Sequence, residues 1–148
     1  MKKLGIILVC FATMAMTSCG LFQSAASSNS AALALGQTCG SAVLGLYQSY
    51  KSTGTINLTT GNNLTNALAL ATCYTQLNQN KSNSSYRQSF ANGLILSSAG
   101  LITNQNAATF ISALLGASSL ANVSSSNSVQ QNQNSTPAII GVLKTVDK

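Results

Sequence analysis

The chain has 148 residues, of which 45% are hydrophobic and only 5% charged, with a formal net charge of +6 and no histidine. This composition excludes a highly charged disordered chain, and the length is enough for one small domain with a modest core. The only side-chain carboxylate is Asp147, so histidine triads, paired-carboxylate glycosidases and carboxylate metal sites are excluded. We therefore expect no enzymatic activity, no catalytic residues, no cofactor and no metal; no pattern indicates a Ser-Lys pair or a tyrosine base.

Residues 1–18 have the pattern of a secretory signal peptide. Two lysines precede an apolar run over residues 4–16, which is too short to span a bilayer as a mature helix, and small residues follow it. The run ends in M-T-S-C at residues 16–19, which resembles the lipobox of bacterial lipoproteins, with methionine where leucine is usual. The alternative is an ordinary secretory signal peptide that is cleaved near Ser18 or Gly20.

The lipobox resemblance implies that Cys19 is acylated, by palmitate or similar chains, and becomes the new N-terminus. Several acyl chains hold a protein firmly on a leaflet, so the expected partner is a membrane, through this anchor. In enterobacterial lipoproteins an aspartate after the lipidated cysteine retains the protein at the inner membrane. Here Gly20 follows Cys19, which suggests the outer membrane, with the domain facing the periplasm.

Small and polar residues over 19–29 are typical of a flexible tether, and we expect a helical domain over residues 30–122. Apolar residues at three- and four-residue steps predict a first helix from about Ser30 to Lys51. Glycines and threonines at 52–62 predict a loop. A second helix is predicted to begin at Asn62 or Asn63 and to end at the polar turn N-Q-N-K-S-N-S-S.

The same spacing predicts a third helix from about Ser84 to Ala99, with Gly100 placed to cap it. Asn104 or Asn106 is expected to begin a fourth helix that ends near Gly116. These elements predict an all-α fold, an up-down bundle of about four helices.

Residues 123–136 are rich in Ser, Asn and Gln, which predicts a low-complexity linker. Pro137 then introduces a short amphipathic segment over 137–148, because proline is favoured at the first position of a helix. The apolar face of this segment either docks on the bundle or remains available for a partner, and the sequence leaves both open. Lys51 is expected to be solvated, and Asp147 to lie at a frayed end.

The phrases A-L-A-L-G-Q-T-C and A-L-A-L-A-T-C end on Cys39 and Cys73. An antiparallel hairpin centred on the loop places residues at one level when their numbers sum to about 112 to 114, and these two cysteines satisfy that condition. Because exported proteins retain disulfides, we predict a Cys39–Cys73 bond, with Gly36 and Gly40 allowing the two helices to approach. Two buried free thiols are the alternative. Neither cysteine belongs to a C-x-x-C redox motif.

Together these features predict a non-enzymatic lipoprotein of the bacterial cell envelope, a structural or interaction component with an unknown protein partner. The alternative is a carrier of small apolar ligands. Its cavity would lie between the helices and be lined by aromatic side chains, with Tyr47, Tyr74, Phe90 and Phe110 as the candidates. The basic residues are widely spaced, which argues against a nucleic-acid partner.

Overall fold

The computed structural model describes residues 28–59, 61–124 and 129–147. These ranges are mostly helical and contain no strand, which confirms the all-α class. The elements in chain order are α1 Ser28–Thr53, α2 Gly61–Gln79, α3 Ser84–Ser97, α4 Ala107–Gly116, the 3₁₀ helix η1 Ser118–Asn122, α5 Val129–Gln133 and α6 Thr136–Leu143. The predicted signal peptide, Cys19 and nearly all of the predicted tether lie outside the described residues.

Asparagine side chains stabilise the turns before and after α3. The Asn83 side chain accepts a hydrogen bond from the Tyr86 N–H at 3.1 Å and so caps the start of α3. The helix ends at Ser97, two residues before the predicted end, because the backbone turns left-handed at Ala99 (φ 51°) and Gly100 (φ 84°). Before α4, Asn106 does not cap the helix but accepts from the Thr103 N–H at 2.7 Å, which closes the loop.

Helices α1 and α2 pack antiparallel. Cys39 of α1 lies beside Cys73 of α2, and the Asn66 side chain lies against Gly45. Nearer the loop, the Asn63 amide donates to the Ser49 hydroxyl at 2.9 Å. Residue numbers therefore rise along α1 as they fall along α2, with sums close to 112, the register predicted from the loop.

Helices α1 and α3 run parallel and make the most extensive helix pair of the described residues. Gly36 lies against Phe90 and Gly93, and Gly40 lies against Leu94 and Ser97. A Cβ on Gly40 would be 2.8 Å from the Leu94 carbonyl oxygen, so the backbones meet almost without side chains between them. The sequence interpretation that Gly36 and Gly40 serve the α1–α2 contact was wrong, because both face α3.

The core lies between these three helices, α4, η1 and α6. Its largest fully buried side chains are Leu46, Leu58, Leu70, Leu77, Phe90, Leu94, Ile102, Phe110, Leu114, Leu120, Ile139 and Leu143. Two of them come from connections: Leu58 in the α1–α2 loop and Ile102 in the α3–α4 loop. The loops thus close the ends of the core.

The C-terminal segment docks on the domain, which answers the question the sequence left open. Ile139 and Leu143 are fully buried, and Val142 and Val146 are nearly so. Helix α5 forms within the stretch whose composition predicts a linker. The buried Asn132 side chain accepts a hydrogen bond from the Ser124 N–H at 3.2 Å and donates one to the Ser124 carbonyl oxygen at 3.0 Å. The amphipathic face of α6 is therefore covered by the core.

Candidate functional site

The Cys39 and Cys73 side chains meet at the buried centre of the α1–α2 contact. Both are free thiols in the structure, both are fully buried, and the two side chains are neighbours. The Cys73 Sγ also lies 3.8 Å from the carbonyl oxygen of Leu35, one turn before Cys39. The structure thus brings together the two cysteines that the sequence paired.

Burial makes the Cys39 thiol harder to ionise at neutral pH. It raises the pKa of Cys39 well above its ordinary value, and the neighbouring Cys73 raises it further. Tyr86 of α3 closes the same region, and its pKa is also raised by burial and, to a smaller extent, by Cys73. Since the thiolate is the nucleophile and the metal ligand, the raised pKa makes Cys39 a weaker nucleophile and a weaker metal ligand than an exposed cysteine.

The four aromatic residues predicted to line a ligand cavity lie in different environments. Phe90 and Phe110 are fully buried in the core, whereas Tyr47 and Tyr74 are half-buried at its edge. Tyr47 lines a groove of about 320 Å³ beside the α3–α4 loop, together with Leu101, Asn106, Val146 and others, but with none of the other three aromatics. These side chains therefore do not form one shared cavity wall.

A polar cluster joins the C-terminus to the end of α1. The Asp147 carboxylate accepts from the Lys51 ammonium at 2.8 Å and from the Tyr47 hydroxyl at 2.9 Å. The Lys51 Nζ lies 5.5 Å from the centre of the Tyr47 ring, within cation–π range. Lys51 is exposed to solvent, as expected. The expectation of a frayed Asp147 was wrong, because docking of the C-terminal segment places its carboxylate beside Lys51 and Tyr47. The only feature of the sequence that indicates this cluster is the spacing of Tyr47 and Lys51, which lie one helical turn apart on α1.

This cluster predicts a shallow pH dependence of stability. The hydrogen bond from Lys51, then that from Tyr47, lowers the pKa of Asp147, and the bond to Asp147 raises the pKa of Lys51. The stabilisation is thus fully present above the unfolded carboxyl pKa of about 3.9 and is lost as pH falls through the lower folded value. It is also lost in alkali, as pH rises above about 10.4 through the raised folded pKa of Lys51.

Asp147→Asn should therefore flatten the acid limb of the stability curve, where Asp147 is the only titrating carboxylate side chain. Because the pair is exposed to solvent, we expect at most about a fivefold increase in amide hydrogen exchange of α6 at pH 6. Lys81→Gln, which removes an exposed charge from the α2–α3 turn, is the matched control and should leave α6 exchange unchanged. Equal exchange in Asp147→Asn and the unmodified protein would contradict a contribution of the cluster to docking.

Two further grooves differ in their chemistry. One, of about 530 Å³, lies between α1 and α2 and is lined by Gly45 and by the amides and hydroxyls of Gln48, Ser49, Ser52, Asn62, Asn63, Thr65 and Asn66. The other, of about 420 Å³, lies between α3 and α4 and includes Ala91, Ile95, Ile111 and Leu115. The first can exchange hydrogen bonds with a neutral polar ligand, but none of its lining side chains titrates near neutrality.

The predicted lipidation residue, Cys19, lies outside the described residues. In residues 28–59, 61–124 and 129–147, no group of three or more His, Cys, Asp or Glu side chains is placed to bind a metal ion. In the same ranges no helix combines the length and the apolar character that a bilayer span requires. Comparison of the chain with protein-family models, curated proteins and solved structures gave no match.

Proposed function

We propose that the protein is a membrane-anchored lipoprotein of the bacterial cell envelope, with a non-enzymatic structural or protein-interaction role. The observation that carries this proposal is the M-T-S-C motif at 16–19 directly after a charged and then apolar leader. The chemistry of the described domain is compatible with it, because its two cysteines are buried and its one carboxylate side chain is held in an ion pair. The packing of Phe90 and Phe110 into the core favours the interaction role over the apolar-ligand carrier.

Lipidation is tested by growing cells with labelled palmitate. We expect the label in the unmodified protein and in Cys10→Ser, the matched control within the leader, but not in Cys19→Ser. In density separation of the envelope, the labelled protein should sediment with the outer membrane. Palmitate on Cys19→Ser, or none on the unmodified protein, would refute the anchor at Cys19. A cross-linking pull-down of the anchored protein from the native envelope would then identify the partner.

We also propose that Cys39 and Cys73 form a disulfide in the mature protein. Export places the chain where disulfides persist, and the two buried side chains already lie in contact. Cys10 would leave with the leader and Cys19 would carry lipid, so this bond uses the remaining thiols. It would staple the α1–α2 hairpin near its middle.

We further propose that α4 completes a four-helix up-down bundle. Helix α2 packs antiparallel to α1 and α3 packs parallel to it, which is the up-down-up order of the first three helices of such a bundle. Residues 98–106 form a short connection from α3 to α4, and short connections favour antiparallel neighbours. Spin labels test the direction of α4: the distance from Gln88 to Gly116 should be shorter than that from Gln88 to Ala108 by up to about 12 Å, the rise of eight helical residues. The reverse order would show a parallel α4.

A further inference from the structure

Two exposed basic residues lie at the end of the domain where α1 begins. Because α1 and α3 are parallel and Gly36 lies level with Gly93, the first turn of α3 lies level with the first turn of α1. Arg87 is in that turn of α3. The antiparallel register of α1 and α2 places Lys81, in the α2–α3 turn, at the same level. Both side chains are exposed, and we call this surface, Lys81 and Arg87, the basic end.

Acidic side chains are missing from the basic end and present only at the other. The chain's single acidic residue, Asp147, is paired with Lys51 near the end of α1. A helix of 26 residues is about 39 Å long, so this pair lies roughly 30 Å from the basic end. The positive charge of Lys81 and Arg87 is therefore not neutralised by any carboxylate side chain of the protein.

We propose that the basic end rests on the anionic phospholipid headgroups of the leaflet that holds the anchor. This inference relies on the proposed lipidation of Cys19. Ser28, the first residue of α1, lies nine residues after Cys19, and nine residues span at most about 32 Å. The tether thus confines the start of α1, and with it the basic end, to the neighbourhood of the leaflet. Because the opposite end also carries lysines, Lys51 and Lys144, the tether and not the charge selects the end that faces the leaflet. The charges of the basic end then strengthen its contact with the anionic headgroups.

The expected bias is moderate but measurable. A basic residue near an anionic membrane surface contributes about 1 kcal/mol, so two favour the docked orientation by about 30-fold. Without Arg87 the preference for the docked orientation falls to about fivefold. At about 1 M salt the Debye length is only about 3 Å, and the bias should disappear.

Lysine acetylation of the lipidated protein in vesicles tests this orientation. The protein is reconstituted in vesicles of phosphatidylcholine alone, or of equal parts phosphatidylglycerol and phosphatidylcholine, and treated with a neutral acetylating reagent. Lys144, three residues before Asp147 and exposed, reports the opposite end of the domain. We expect the ratio of Lys81 to Lys144 acetylation to fall by up to about 30-fold on the anionic vesicles, and by up to about fivefold in Arg87→Gln.

Each outcome decides between distinct conclusions. A ratio that is the same on both lipids, or that falls equally at high salt, would overturn the docked orientation, as would stronger protection of Lys144 than of Lys81. The mass of the N-terminal peptide from the same samples reports acylation of Cys19 independently. An unacylated Cys19 would overturn the anchor and the orientation together, whereas an acylated Cys19 with an unchanged ratio would overturn the orientation alone.

Discussion

Replacing Gly93 with alanine is expected to lower the free energy of unfolding by about 2 to 3 kcal/mol, although alanine is the better helix former. The added Cβ would overlap the Leu33 carbonyl oxygen and lie 2.8 Å from the Gln37 nitrogen and 2.9 Å from the Gly36 Cα. All three are backbone atoms, which cannot rotate away, so α1 and α3 must separate. Helix propensity returns only about 1 kcal/mol, whereas overpacking against three backbone atoms should cost about 3 to 4 kcal/mol, at or above the upper end of the usual range. Urea unfolding followed by circular dichroism measures the difference.

Gly141→Ala is the matched control for this substitution. Gly141 lies inside α6, and a Cβ there would meet nothing within 4 Å. Only the propensity gain remains, so the variant should be more stable by up to about 1 kcal/mol. Opposite signs for the two variants would identify the backbone contact as the cause. If Gly93→Ala were as stable as Gly141→Ala, the close packing of α1 on α3 would be refuted.

Reduction of the proposed Cys39–Cys73 disulfide should lower the free energy of unfolding by roughly 3 to 4 kcal/mol. In the chain-entropy model, a bond that closes a loop of about 35 residues restricts the unfolded chain by this amount. Because both side chains are fully buried, reductant should act only on the unfolded protein. We therefore expect a change in stability when the protein is unfolded and refolded in reductant, and little change when folded protein is briefly exposed to it.

The double variant Cys39→Ala/Cys73→Ala separates the bond from the packing of the two side chains. Its stability should be the same with and without reductant, whereas that of the unmodified protein should not. Mass spectrometry of the non-reduced protein gives the direct measurement, since the bond lowers the mass by two hydrogens. Two free thiols in protein isolated from the envelope would disprove the staple and leave a buried thiol pair.

Local patterns were sufficient to predict the five longer helices, α1 to α4 and α6, but not α5. Apolar spacing located α1 to α4 to within a few residues, and the position of Pro137 located α6. The register of α1 against α2 followed from the loop, because a short connection leaves an antiparallel hairpin little freedom. The same count placed Cys39 level with Cys73. These predictions succeeded where the partners were neighbours along the chain.

Contacts between distant segments could not be predicted in this way. The glycines at 36 and 40 indicate a close approach but carry no information about which helix approaches, and α3 proved to be the partner. The apolar side of α6 is visible in the sequence, but what covers it is not. The Lys51–Asp147 pair joins residues that are 96 positions apart, beyond any local pattern.

The sequence by itself determined the all-α class, the approximate helix limits, the level of the two cysteines and the absence of histidine and glutamate. The tertiary structure alone decided that α1 packs most closely on α3, that the C-terminal segment is docked, and that Lys81 and Arg87 share one end of the domain. The physical reason is that helix formation and hairpin register depend on residues close together in the chain. Packing partners and charge placement depend on which surfaces fit each other in space.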